Sequence, residues 1–227
     1  MQKQINKLFT EKELNILKSL IGQKIDKIRH DRFDYTNTSF RRIIFFAENK
    51  VYELLNEAEE IDFMWDDYGK EAVAVFKFSE IEDKGIDYKY GFDNYPTQIE
   101  TPINDVVKDI IVIEDNVKSF DSSTKSFVSE YNYVKGIIIE FSQIKYCFNR
   151  GVWFSEEIVI NKCQDPESKI GNIDNDWEWG EDRYSINTRT LKSLKWSAEM
   201  NAFILSCDTF IYVILFHAIL LSMLFYL

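Results

Sequence analysis

The 227-residue sequence is poor in the residues that mark specialised kinds of chain. Eight glycines and three prolines are too few for a collagen-like or low-complexity protein. The three cysteines, Cys147, Cys163 and Cys207, are odd in number and widely spaced, which favours a reduced cytosolic protein over a disulfide framework. The first ten residues lack the apolar core of a signal peptide, which also favours the cytosol.

Groups that carry catalysis are scarce as well. Only two histidines occur, His30 and His217, and the second lies in an apolar segment. The phosphate-binding glycine loops, the nucleophile elbow and the zinc-protease motif are all missing. Cys147 and Cys163 lie in or beside apolar runs, where an inert buried thiol is the expected state. We therefore expect a protein that is not an enzyme and needs no cofactor.

Positive charge is in deficit. The chain has 27 basic and 38 acidic side chains, a net charge of −11. Proteins that bind nucleic acids through the phosphate backbone need a surplus of Lys and Arg, because these residues displace the condensed counterions. General nucleic-acid binding is therefore excluded.

Apolar residues are abundant at the C-terminus. In the segment 209–227 only Thr209, His217 and Ser222 are polar. A helix of this length is about 28 Å long, close to the roughly 30 Å of a hydrocarbon core. The segment therefore predicts a membrane-spanning helix, and we interpret 201–227 as a C-terminal tail anchor.

The flanking charge predicts the orientation of this anchor. Between residues 183 and 200 the net charge is +3, and basic residues beside a span favour the cytosolic side. The acidic domain 1–200 would then lie at the cytosolic face of a membrane. Two alternatives remain open: a helix buried in the domain, or a dispensable tail on a cytoplasmic protein.

The body of the chain predicts a sheet-dominated α+β fold. Thr10 and Glu13 form a capping box before a short amphipathic run, which predicts a helix over 11–21. β-branched and aromatic residues dominate the later runs. Predicted strands cover 24–33, 72–78, 106–113 and 158–160, with hairpins joining 42–47 to 51–55 and 136–141 to 144–148.

The residue patterns also predict, more weakly, two further helices and an internal repeat. Residues 103–108 and 188–198 have helical spacing. The order of elements in 22–82 is similar to that in 106–162, which suggests an internal duplication, although chance similarity among β-rich segments explains it better.

Two acidic runs contain the candidate binding residues. Segment 53–71 carries eight carboxylates and one lysine, and segment 174–182 carries five carboxylates with tryptophans between them. Each run is either a solvated face or a recognition surface for a basic partner, with aromatic anchors. The candidate partner-binding residues are Glu57, Glu59, Glu60, Asp62, Trp65, Asp66, Asp67, Trp177 and Trp179.

The same carboxylates suggest metal chemistry only weakly. The run from Asp174 begins like a calcium loop, but its glycine and its twelfth residue do not fit the EF-hand pattern, so no metal site is expected. An alternative function is a metal-dependent hydrolase or nuclease that uses Asp67, Glu82 and Lys84.

The acidic, β-rich body without enzyme motifs resembles small bacterial immunity and antitoxin proteins in general character. That resemblance implies neutralisation of a toxin by binding. We therefore expect a protein-binding module that captures a basic protein at the cytosolic face of a membrane, held there by residues 209–227.

Overall fold

The computed structural model describes residues 3–31, 37–62, 70–82, 98–152, 154–176 and 182–195. Their elements are β1 (Lys3–Lys7), α1 (Glu11–Ser19), β2 (Lys24–Asp31), β3 (Thr38–Phe40), β4 (Arg42–Ala47), β5 (Lys50–Ile61), β6 (Glu71–Ile81), β7 (Gln98–Val106), β8 (Asp109–Asp121), β9 (Phe127–Glu140), β10 (Lys145–Arg150), β11 (Glu157–Cys163) and β12 (Arg183–Ser193). Two 3-10 turns, Glu167–Lys169 and Ile173–Asp176, lie between β11 and β12. A sheet-dominated fold with one short helix is thereby confirmed.

The helix α1 forms for the reasons its sequence predicts. Thr10 Oγ1 accepts a hydrogen bond from the Glu13 N–H at 3.3 Å, and Glu13 Oε2 accepts one from the Thr10 N–H at 2.7 Å. Both bonds satisfy donors that the first helical turn leaves without partners. Gly22 follows with a φ of 87°, a left-handed conformation that glycine adopts without strain. The predicted helix and its stop are confirmed.

The strands form two sheets. The seven-stranded sheet has the order β12-β8-β9-β10-β11-β3, and β1 runs parallel to the first half of β9. The five-stranded sheet has the order β6-β5-β4-β2-β7. Both predicted hairpins, β4–β5 and β9–β10, are confirmed.

The sheets share one core because alternate residues of their strands are apolar. Phe45 of the five-stranded sheet meets Phe148 of the seven-stranded sheet edge to face, with 5.3 Å between ring centres. Buried residues of α1 and its ends, including Leu17 and Leu20, complete this cluster. On a second face of the seven-stranded sheet, Ile138 and Cys147 belong to a smaller cluster.

The first of the two weaker helix predictions is wrong, because residues 103–106 belong to β7, whose Asp105 and Val106 pair with β2. The second is wrong over residues 188–193, which belong to β12 and pair with β8. Residues 194–195 are helical, and 196–198 lie outside the described residues. The helical spacing was misleading because β12 pairs with β8 over eleven consecutive residues, and this long ladder outweighs local propensity.

Three predictions are not tested by the fold. No helix among the described residues is long and apolar enough to cross a membrane. The predicted anchor 201–227, with its span 209–227, lies outside the described residues. The division at residue 200 and the duplication of 22–82 and 106–162 also stay predictions.

A buried arginine joins the two sheets. Arg150 has no exposed surface, although it ends β10. Its Nη1 donates to the carbonyl oxygen of Ala74 in β6, and its Nη2 donates to that of Val134 in β9 at 2.9 Å. The guanidinium lies 4.6 Å from the ring centre of Tyr133. Carbonyl acceptors and an aromatic face thus replace the water that this cation loses on folding.

We predict that Arg150→Met lowers the free energy of unfolding by about 3 kcal/mol, because two buried carbonyls lose their donor and each costs about 1–3 kcal/mol. Methionine keeps much of the apolar stem. Urea unfolding measures the change, and Lys162→Met, at an exposed position of β11, is the control. A loss below about 1 kcal/mol in Arg150→Met would show that other groups satisfy the carbonyls.

Candidate functional site

The first acidic run lies where the β5–β6 hairpin projects beyond its neighbour. Strand β4 pairs with β5 only as far as Leu55, opposite Arg42. Strands β5 and β6 continue as a pair to Ile61, opposite Glu71. Residues 56–61 therefore have β6 on one side and no pairing with β4 on the other.

The predicted residues on this hairpin point to both of its faces. Because side chains alternate along a strand, Glu57 and Glu59 share one face and Glu60 lies on the other. Their exposure differs greatly. The Glu60 side chain is 76% exposed, whereas that of Glu59 is 27% exposed.

Lysines from three parts of the chain meet these carboxylates. Glu59 lies 2.7 Å from Lys7 of β1 and 2.8 Å from Lys77 of β6, measured from the carboxylate oxygen to Nζ. Lys77 is also 3.5 Å from Glu57. Two further pairs flank this group: Lys3 with Asp62 at 3.1 Å, and Lys70 with Glu60 at 3.8 Å.

These ion pairs give the partly exposed carboxylate of Glu59 a structural role. Hydrogen bonds from Lys7 and then Lys77 lower the pKa of Glu59 below its usual value of 4.5. The same contact with Glu59 raises the pKa of Lys77. Since Lys7 belongs to a strand of the other sheet, Glu59 connects β1 to the five-stranded sheet.

The acidic character of this end is reduced but not removed by its lysines. The described residues of segment 57–71 include five carboxylates, and the structure pairs four of them with Lys3, Lys7, Lys70 and Lys77. A net charge of −1 remains among these described groups, and the sequence of the segment adds two more carboxylates, Asp66 and Asp67. Exposed pairs of this kind contribute only about 0–1 kcal/mol each, so a partner's arginine can compete for the carboxylates.

A cleft of about 740 Å³ lies beside Glu59, between α1 and the outer side of β6. Glu13 forms part of its wall, and its Oε1 accepts the N–H of Phe78 at 3.1 Å, which docks the start of α1 on the edge of β6. Charged and apolar side chains share the lining: Lys7, Leu8, Lys12, Ile16, Leu55, Glu59, Lys77 and Glu80. Its chemistry suits binding of a mixed polar and apolar surface.

The second acidic run begins near the first. Ile61, at the end of β5, and Ile173, at the start of the 3-10 turn Ile173–Asp176, belong to one cluster of buried residues with Val73, Tyr131 and Tyr133. Asp174 accepts a hydrogen bond from the Asn187 amide of β12 at 2.9 Å. The chain segments that carry the two runs are therefore anchored in the same part of the fold.

Five of the predicted binding residues lie outside the described residues: Trp65, Asp66, Asp67, Trp177 and Trp179. The described residues Glu57, Glu59, Glu60 and Asp62 lie together at the end of the β5–β6 hairpin. Their role in binding stays a prediction.

His30 and Cys147, whose side chains are the types best suited to catalysis, are both buried. His30 is buried, and its Nδ1 and Nε2 lie 2.6 Å from the Asp31 carbonyl oxygen and 2.7 Å from Thr101 Oγ1. Burial is the main cause that lowers the pKa of His30. Burial likewise raises the pKa of Cys147 to about 12, which leaves its thiol protonated and unreactive at neutral pH.

The alternative hydrolase is not tested. Asp67 and Lys84 lie outside the described residues, and Glu82 alone of the three is described, just after β6. Within the part of the chain that the structure describes, no group of three or more His, Cys, Asp or Glu side chains could hold a metal ion.

No protein-family model matches this chain, and neither a curated protein nor a solved structure is significantly similar to it. Its function is therefore inferred from its own residues.

Sequence reasoning missed the lysines of β1. Lys3, Ile5 and Lys7 are two residues apart and so share one face of a strand that pairs with β9. Ile5 is buried, Lys7 reaches Glu59 of β5 and Lys3 reaches Asp62 directly after it. A single apolar residue between polar ones, Gln4-Ile5-Asn6, was the available signal. It was missed because a parallel strand of five residues depends on a partner more than a hundred residues away.

We predict a coupling of about 1 kcal/mol between Lys7 and Glu59 in a double-mutant cycle with Lys7→Met and Glu59→Gln at neutral pH, because the pair is close and partly buried. The pKa of Glu59 is lowered in the folded state, so the coupling is present at neutral pH and is lost as pH falls below 4.5 through that lowered value.

The control is the pair Lys50 and Glu80, which has nearly the same distance, 2.8 Å, but more exposed side chains. Its coupling should be smaller. A carboxyl titration by NMR should also show the pKa of Glu59 moving toward 4.5 in Lys7→Met. An unchanged titration in that variant would contradict the assignment.

Proposed function

We propose that this protein is a non-enzymatic binding module that captures a basic protein, in the manner of an immunity protein or antitoxin. The observation that supports this best is the common anchoring of the two acidic runs. Ile61, within the first run, and Ile173, directly before the second, belong to one buried cluster. The described parts of the two runs therefore share one region of the fold, and we expect both runs to act on one partner.

The distribution of charge supports the same proposal. The described residues contain 24 of the 27 basic and 28 of the 38 acidic side chains, a net charge of −4. The other segments carry −7 of the total. More than half of the net negative charge therefore lies outside the described residues, and such charge steers the approach of a basic partner.

The ion pairs rank the predicted carboxylates. Glu59 has two lysine partners within 3 Å and is the least exposed, so we assign it mainly to holding β1. Glu57, Glu60 and Asp62 have more exposed side chains. They are the carboxylates that we expect a partner to contact.

The membrane anchor is part of the proposal. The sequence of 209–227 matches a membrane span in length and polarity. β12 ends at Ser193, and the Lys195 N–H donates to Asp109 Oδ1 at 3.0 Å. The last described residues thus lie before the apolar segment, and an anchor there would hold the domain at the cytosolic face.

We predict that the combined variant Glu57→Lys, Glu60→Lys and Asp62→Lys abolishes capture of a basic protein. The immobilised full-length chain is exposed to a lysate of its native host, and bound proteins are identified by mass spectrometry. The wild-type chain should retain a strongly basic protein whose binding weakens with salt.

The control variant changes Asp26, Glu48 and Asp165 to lysine, which alters the net charge equally at other places. It should bind as the wild type does. Unfolding free energies of both variants should stay within about 1 kcal/mol of the wild type, since exposed ion pairs contribute little. Equal binding by the charge-reversed hairpin and the wild type would exclude this surface.

We predict that the full-length chain fractionates with membranes and resists carbonate extraction, whereas a chain truncated after residue 200 is soluble. Leu215→Arg in the full-length chain should shift it toward the soluble fraction, because a charge at mid-span costs about 2.5–3.5 kcal/mol. If the full-length and truncated chains are both soluble, the anchor is wrong.

A further inference from the structure

An apolar surface lies on the turn between β10 and β11. Phe154 is 58% exposed, and Val152 is also exposed. Phe40, at the end of β3, is opposite Glu157 in the adjoining strand pair and is exposed too. Phe154 and Val152 expose two large apolar side chains on one short turn, and neighbouring exposed apolar side chains mark interaction sites more often than single ones do.

The described residues of this turn are held firmly from within the fold. Buried Lys135 donates to the carbonyl oxygen of Gly151 at 3.2 Å, and buried Asn56 donates to that of Ser155 at 2.9 Å. The Ser155 N–H closes the turn on the carbonyl oxygen of Val152 at 3.2 Å. The backbone on both sides of Phe154 is therefore fixed by buried donors.

Glu156 connects the end of the turn to Arg41, directly before β4, and to Ala58 of β5. Its carboxylate forms two contacts with Arg41, at 2.9 and 3.0 Å, and also accepts the N–H of Ala58 at 3.0 Å. Arg41 has a φ of 66°, a left-handed conformation that is strained for a residue with a Cβ. The surrounding contacts maintain this strained residue, and with it the position of the turn.

The turn adjoins the acidic run. Asn56 and Ala58, which bind it, flank Glu57, and alternation along β5 places Glu60 on the same face as Asn56, whose side chain contacts the turn. Glu60 is the most exposed of the paired carboxylates of this run, and Glu157, directly after the turn, is exposed as well. An apolar projection thus has one exposed carboxylate next to it in the chain and another on the face of β5 that contacts the turn.

We infer that Phe154 is the apolar anchor of the partner interface, inserting into an apolar pocket on a basic protein whose Lys or Arg side chains meet Glu60 and its neighbours. The inference rests on the proposed function and adds the chemistry of the partner's surface. Interfaces concentrate their binding energy in a few aromatic anchors within a polar rim. A backbone held in advance loses little entropy when the anchor binds.

The negative charge near the turn favours a basic protein as the partner over a second copy of the chain or a lipid surface. A second copy of the chain would bring a like-charged surface against the carboxylates, which is unfavourable. Anionic lipid headgroups would be repelled for the same reason. A basic protein gains both apolar burial and charge complementarity.

Site-specific photo-crosslinking in cells of the native host tests the inference on the full-length chain. Benzoylphenylalanine replaces Phe154 in one variant and Ile186 in another. Ile186 is the matched control, because it is 57% exposed but lies on β12, at the edge of the seven-stranded sheet opposite β3. We expect a single basic protein crosslinked at position 154 and not at 186, and lost when Glu60→Lys is added.

The inference is wrong if no adduct forms at position 154, or if the same adduct forms at positions 154 and 186. It is also wrong if the adduct at 154 contains a lipid or a second copy of the chain. An adduct that forms equally well when Glu60→Lys is added would contradict it too.

Binding of the purified partner then separates the two proposals. Phe154→Ala should weaken the Kd at least about tenfold, the range of an aromatic hot spot, while Ile186→Ala should change it less than about twofold. Both positions are exposed, so neither variant should lower stability much. If Phe154→Ala binds normally but the charge-reversed hairpin does not, the anchor is wrong and the proposed function stands. If Phe154→Ala weakens binding and the charge-reversed hairpin does not, the turn is an interface but the acidic capture of a basic protein fails.

Discussion

The structure depends on a cation in its interior. Arg150 lies fully buried between the sheets, where a charge without partners would be prohibitively costly. Two carbonyl oxygens from different sheets, those of Ala74 and Val134, and the ring of Tyr133 make its burial possible. The two hydrogen bonds therefore join β6 of one sheet to β9 of the other. Both parts of the proposed interface adjoin this link, because β6 pairs with the acidic strand β5 and Arg150 directly precedes the apolar turn.

The acidic hairpin has a structural role that is separate from binding. Its pairing with β4 ends at Leu55, so residues 56–61 need other support. Lys3 and Lys7 of β1 supply it on one side, and Glu156 supplies it on the other by accepting the Ala58 N–H. Each contact is weak by itself. Together they position a strand end whose remaining carboxylates, Glu57 and Glu60 above all, stay exposed.

Local features of the fold were predictable from the sequence, and contacts between distant segments were not. The capping box of Thr10 and Glu13 and the two hairpins depend on neighbouring residues, so their patterns sufficed. Strand β12 looked helical because its spacing permits a helix, and only its ladder with β8 decides otherwise. The burial of Arg150 had no local signal at all, since its acceptors come from residues 74 and 134.

The same difference explains what was found and missed in the candidate interface. The acidic runs are visible in the composition, but composition does not reveal that Lys7 and Lys77 already engage Glu59. Phe154 reads as part of an apolar run leading into a strand, and its exposure follows only from the turn that Asn56 and Glu156 hold. Charge acts over about a Debye length, whereas an apolar anchor acts only on contact. In the proposed interface, the charge of the acidic runs therefore attracts the partner, and the fixed turn that carries Phe154 recognises it.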